Sequence, residues 1–154
     1  MRRWRSVSVD GLMEISEIRR RLRASIEAAK RDAQDRRGRS DRAAQAYELF
    51  LSERAVPLFQ TVASALVAEG HRFKVFTPAG SVRLASESSG EDYIELALDT
   101  TADPPVVVGR ISRGRGRRQI ASEHAVQEDV PIENLTDEDV LAFLLRQLTP
   151  FLER

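Results

Sequence analysis

At Gly70 the spacing of apolar residues changes from a helical period to an alternating one, and that switch constrains the fold more than any motif in the chain. Downstream, "HRFKVF", "SVRLAS", "YIELALD", "VVVGRIS" and "RQIASEHAV" alternate apolar and polar positions, separated by "TPAG", "ESSGED", "TTADPP" and an arginine-rich link. Every link is too short for a crossover helix, so the five segments are expected to form an antiparallel meander. In "YIELALD" the alternation puts Ile94, Leu96 and Leu98 on one face and Tyr93, Glu95, Ala97 and Asp99 on the other.

Upstream of Gly70 two helices are expected. The first covers residues 12–35, with apolar residues at Leu12, Ile15, Ile18, Leu22, Ile26 and Ala29. This stripe is narrow, which suits pairing with another helix better than covering a core. Gly38 is expected to end that helix and Ser40 to cap the next. The second, residues 41–69, carries Tyr47, Phe50, Leu51, Leu58, Phe59, Val62, Leu66 and Val67 as a wide core face, and Pro57 should kink or split it near residues 53–56. A last helix begins after Thr136, a cap residue with Asp139 three positions on, and presents Val140, Leu141, Leu144, Leu145 and Leu148. The whole reads as an α+β chain: a basic helical arm over residues 1–39, then one domain over residues 40–154. In that domain a long Pro-kinked helix and a C-terminal helix pack on the sheet.

Charge separates the same two parts. Residues 1–40 carry a balance of +6 and residues 41–154 a balance of −6, while the full chain is neutral. Each part can attract its opposite in a second copy or in another molecule. Of 24 basic residues 22 are arginine, a skew that reflects base composition more readily than recognition. With no cysteine, disulfides, thiolate metal sites and cysteine nucleophiles are excluded. The basic start "MRRWRSVSVDGLMEIS" lacks the apolar run of an export signal, and no stretch approaches the roughly 20 apolar residues of a membrane span. A soluble, cytoplasmic protein is the expectation.

Two features could bind a partner. "SRGRGRRQI", residues 112–120, misses the third glycine of a dinucleotide fingerprint and runs into a strand where that fingerprint needs a helix. It is expected to be a hairpin tip, with Gly114 and Gly116 supplying positive φ and the arginines keeping it solvated. Its other reading is an anion or partner contact through Arg113, Arg115, Arg117 and Arg118. Arg19, Arg20 and Arg23 of the first helix carry the same possibility, and Ile15, Ile18, Leu22 and Ile26 are the expected self-association stripe. The two histidines, His71 and His124, both fall on expected strands, and His124 is expected to be partly buried and hydrogen-bonded. Neither has metal-ligand spacing to a partner, and the acidic residues Glu87, Glu91, Asp92, Glu95, Asp99 and Asp103 lack the order of a calcium loop. No serine stands in a nucleophile elbow. No catalytic residue, cofactor or metal is therefore expected.

The function expected is a small non-catalytic interaction or adaptor module that self-associates through its first helix, with a protein partner or a homo-oligomer as its assembly. A nucleic-acid-associated protein using the basic helix and the arginine hairpin is the alternative. A small-ligand module with a pocket between helix and sheet comes third.

Overall fold

The computed structural model describes residues 13–153. Its elements are α1 (Ile15–Phe50), a π-helical turn (Leu51–Ala55), α2 (Val56–Ala68), five strands, a 3-10 turn (Ile132–Asn134) and α3 (Asp137–Leu152). The strands are β1 (Phe73–Phe76), β2 (Val82–Ser86), β3 (Tyr93–Asp99), β4 (Val106–Arg115) and β5 (Arg118–Ala125). They form one antiparallel sheet in the order β1-β2-β3-β4-β5, the meander expected from the short connections. The fold is α+β. Contacts within the chain divide it into two compact units, one ending at Gly38 and one beginning at Arg39.

The expected break at Gly38 does not occur. α1 continues through Gly38 and Ser40 as regular helix. A glycine in a helix interior costs only about 1 kcal/mol relative to alanine, whereas a break orphans backbone groups on both sides and demands a second nucleus. The break expected near Pro57 does occur, as the π-helical turn Leu51–Ala55. Proline lacks the amide hydrogen and its ring crowds the carbonyl of Glu53. Widening the preceding turn relieves both, and Pro57 falls in the first turn of α2, where it is tolerated. Gly70, at φ +91°, closes the end of α2.

The core of the unit from Arg39 onward lies between one sheet face and the helices. Phe59, Leu84, Ile94, Leu96, Phe143, Leu144 and Leu148 are its largest fully buried aromatic and aliphatic side chains. Two expected core positions are corrected: Val67 is 51% exposed and Leu145 is 55% exposed. On α3 the sequence stripe missed Phe143 and Phe151, both buried, because the strong leucine spacing drew the expected face to one side. Its cap is as expected: Thr136 Oγ1 accepts from the Asp139 amide at 3.1 Å and Asp139 Oδ2 accepts from the Thr136 amide at 3.0 Å.

Gly109 on β4 is a glycine because of Phe143. A methyl group there would lie 2.3 Å from two carbons of the phenyl ring. Gly109→Ala is expected to destabilise the fold by about 1–3 kcal/mol through overpacking, read as a lower midpoint in chemical unfolding at unchanged slope.

Candidate interaction sites

The first candidate lies on α1. Of residues 13–38, none is buried. Ile15 is 71% exposed, Ile18 42%, Leu22 56% and Ile26 52%. The segment is rich in alanine, arginine and glutamate, good helix formers, and Glu17 takes ion pairs from Arg20 and, at 3.2 Å, from Arg21. Of the three expected contact arginines here, Arg20 is thus engaged within the helix, while Arg19 and Arg23 are exposed one turn apart. Leu12 and Trp4 lie outside the described residues.

The second candidate is the hairpin. β4 runs on to Arg115, so "SRGRGRRQI" is mostly strand, and only Gly116 and Arg117 form the turn. Gly116 has φ +60° and Arg117 does not share the positive sign, the pattern of a type II′ turn. The second expected positive φ, at Gly114, is absent. Gly114 is needed for close approach instead: its amide donates to Asp92 Oδ1 at 2.8 Å, and a Cβ there would lie 2.6 Å from Glu91 Oε2. Ser112 Oγ donates to the Glu91 carbonyl at 2.7 Å and Gln119 Nε2 donates to Ser112 Oγ at 2.6 Å. The β2–β3 turn is thereby tied to the root of the hairpin.

Because Arg115 pairs with Arg118 and Arg113 with Ile120, these four side chains share a sheet face, and Arg117 stands in the turn. Arg113 is half-buried, the other three arginines and Ile120 are exposed, and none of the four arginines joins an ion pair among the described residues. β5 is exposed along residues 118–124 on both faces. His124 is therefore exposed, not partly buried, because no helix covers this edge strand. His71 is not on a strand: it lies between α2 and β1, its amide donating to the Leu66 carbonyl at 2.8 Å.

The expected acidic cluster is dispersed among local partners. Glu87 meets Lys74 at 3.4 Å and Arg72 at 3.9 Å, Asp103 holds Arg39 through two bonds of 2.9 Å, and Asp99 accepts from the Thr101 hydroxyl and amide. Those Thr101 bonds hold the Asp99 carboxyl below its ordinary range, the hydroxyl's being the stronger cause. Among the described residues no group of three or more histidine or acidic side chains converges as a metal site.

A feature the sequence reading missed crosses four strands. The register aligns Arg83, Glu95, Arg110 and Glu123 in one row of alternating charge on the face opposite Leu84, Ile94 and Leu96. Glu95 is buried at 7% exposure and is held by Arg83 Nε at 3.1 Å and Ser81 Oγ at 3.3 Å. Arg83 also lies 4.0 Å over the Tyr93 ring, and Arg110 Nε bonds Glu123 at 3.0 Å. Each charge falls on a separate strand, so only pairing register reveals the row. Beside it a cleft of about 580 Å³ is lined by Tyr47, Ser81, Arg83, Glu95 and Arg110. Tyr47 donates to the Gly80 carbonyl at 2.7 Å.

Comparison with protein-family models, curated proteins and solved structures finds no match. No helix among the described residues is long and apolar enough to cross a membrane.

Burial, and secondarily the charge of Glu95, pushes the Tyr47 phenol up to about 12 from 10.0, with Arg110 opposing. The folded state thus favours the neutral phenol. Its contribution is fully present below pH 10 and is lost as pH rises through 10 towards 12. Tyr47→Phe is expected to lessen this alkaline loss, measured as the difference in unfolding free energy between pH 9 and pH 11.5 for both proteins.

Proposed function

We propose that the chain is a protein-interaction module that self-associates through the residue 15–38 portion of α1. The observation that carries this reading is the stripe of Ile15, Ile18, Leu22 and Ile26, each at least 42% exposed on a helix with no buried residue before Gly38. Single exposed apolar residues are ordinary on protein surfaces. Four in helical register are a contact surface in search of a partner.

The magnitudes favour a reversible assembly. Full burial of such a side chain contributes roughly 1.5–3 kcal/mol, and a pair of helices buries each only in part. Eight side chains from two copies therefore supply on the order of 10 kcal/mol, against an association cost of about 4–15 kcal/mol. The surplus is at most about 6 kcal/mol, which corresponds to dissociation constants of roughly 40 μM or weaker. The polar groups beside the cleft support a non-catalytic reading, since Glu95, Arg83 and Ser81 are engaged with one another.

Sedimentation of the full chain tests the proposal. The wild type is expected to be dimeric at high micromolar concentration. Ile18→Asp combined with Leu22→Asp is expected to be monomeric with an unchanged β-sheet circular dichroism signal, and a wild type that stays monomeric would overturn the proposal.

A further inference from the structure

The geometry points to the free edge of β5 as a docking site for an extended acidic peptide, which adds to the sheet as a further antiparallel strand and sets its carboxylates against Arg115, Arg117 and Arg118. This surface belongs to the unit from Arg39 onward, so the inference stands apart from self-association through the arm.

The direction of the backbone groups follows from two hydrogen bonds. The Gly114 amide donates to Asp92 Oδ1 at 2.8 Å, so it turns away from β5. Backbone groups alternate in direction along a strand, so those of Arg113 and Arg115 turn towards β5 and meet their register partners Ile120 and Arg118. The Val126 amide, which donates to the Val107 carbonyl at 3.1 Å, keeps the same order at the far end. The N–H and C=O groups of Gln119, Ala121 and Glu123 therefore point out of the sheet. Among the described residues, three devices that commonly close such an edge are missing. Residues 118–125 contain no proline, the pairing from Val108 with Ala125 to Arg115 with Arg118 runs without a bulge, and every residue from Arg118 to His124 is exposed.

The charges on this edge select its occupant. Arg115 and Arg118 stand directly opposite each other on one face, with Arg117 in the turn beside them, and like charges paired across strands are destabilising. None of the three joins an ion pair among the described residues. The neighbouring carboxylates leave the pair uncompensated. The register carried one step past Tyr93 sets Asp92 beside Arg113, where it is buried and bonded by the Gly114 amide. Glu91 stands against Gly114 on the other face, and Glu123, also on that face, holds Arg110 at 3.0 Å. A carboxylate on an added strand opposite Arg118 reaches both arginines and relieves their repulsion. Two residues earlier on that strand, an apolar side chain meets Ile120, which is 41% exposed. The pattern recognised, read from N to C, is apolar, any, acidic, acidic. Main-chain bonds to the edge supply affinity and the alternate side chains supply specificity. A long polyanion such as a nucleic acid fits less well, because residues 41–154 carry a balance of −6 with these arginines counted and repel it beyond the tip.

A labelled peptide, Ser-Thr-Ser-Thr-Val-Thr-Glu-Glu-Glu, tests the site on the full chain at low ionic strength, by fluorescence anisotropy and by amide exchange followed with NMR. Binding is expected, with slowed exchange at Gln119, Ala121 and Glu123. The same peptide N-methylated at its second, fourth and sixth residues cannot donate to the edge, and a version with lysine in place of glutamate carries the wrong charge. Each is expected to bind at least about tenfold more weakly. Arg118→Glu gives Arg115 an opposite charge within the chain, so it is expected to raise the unfolding midpoint while weakening the peptide at least about tenfold. Absence of binding by the parent peptide overturns the site, and equal binding by the N-methylated one overturns strand addition. A midpoint lowered by Arg118→Glu overturns the like-charge argument. A nine-residue oligothymidylate that displaces the peptide at a concentration below the peptide's own makes the tip a nucleic-acid contact and overturns the acidic-peptide reading.

Discussion

The phenyl ring of Phe143 sits against the backbone of β4 at Gly109, and the unit from Arg39 onward depends on that contact. It brings α3 close enough to the sheet for Val140, Leu144 and Leu148 to reach the same buried layer as Leu84, Ile94 and Leu96. With α2 over the neighbouring strands, one sheet face is closed without any residue before Tyr47 in the buried set. A side chain at position 109 would hold α3 off the sheet. The capping box at Thr136 starts α3 where its apolar face meets the sheet, so a local hydrogen-bond motif and a long-range packing contact support the same geometry.

The opposite sheet face is organised by charge. Glu95 is buried, and a buried carboxylate without partners would be costly, yet Arg83 and Ser81 both reach it. The row Arg83, Glu95, Arg110 and Glu123 forms only in the observed register, because a shift of one residue would send each side chain to the other face. A like-charge mismatch or an unpaired buried carboxylate would penalise any slipped pairing. Asp92, accepting from the Gly114 amide, ties the β2–β3 turn to the same register.

Much of this architecture was legible in the sequence, because it rests on local signals. The change of period at Gly70, the short links, the cap at Thr136 and the proline at 57 each act through neighbouring residues. What escaped depended on distant ones. Gly38 resembles a helix terminator, but a terminator also needs a reason to leave the helix, and the good helix formers on either side supply none. Gly114 and Gly116 look alike in sequence, yet one answers to its own φ and the other to Glu91 and Asp92, more than 20 residues away. His124 alternates as a core position would, but β5 is an edge strand with no helix above it. Of the contact residues read from the sequence, Arg113, Arg115 and Arg118 share one face while Arg20 is engaged by Glu17. The charge row on the opposite sheet face was invisible until register aligned its strands.

The central claim is that the unit from Arg39 onward closes its own core while the arm stripe is reserved for a partner copy. Thermal unfolding of the full chain and of residues 39–154, each followed over a hundredfold range of concentration, tests it most directly. Both proteins should melt cooperatively, with a midpoint that rises with concentration only in the full chain. Loss of the cooperative transition in residues 39–154, or a midpoint independent of concentration in the full chain, would contradict it.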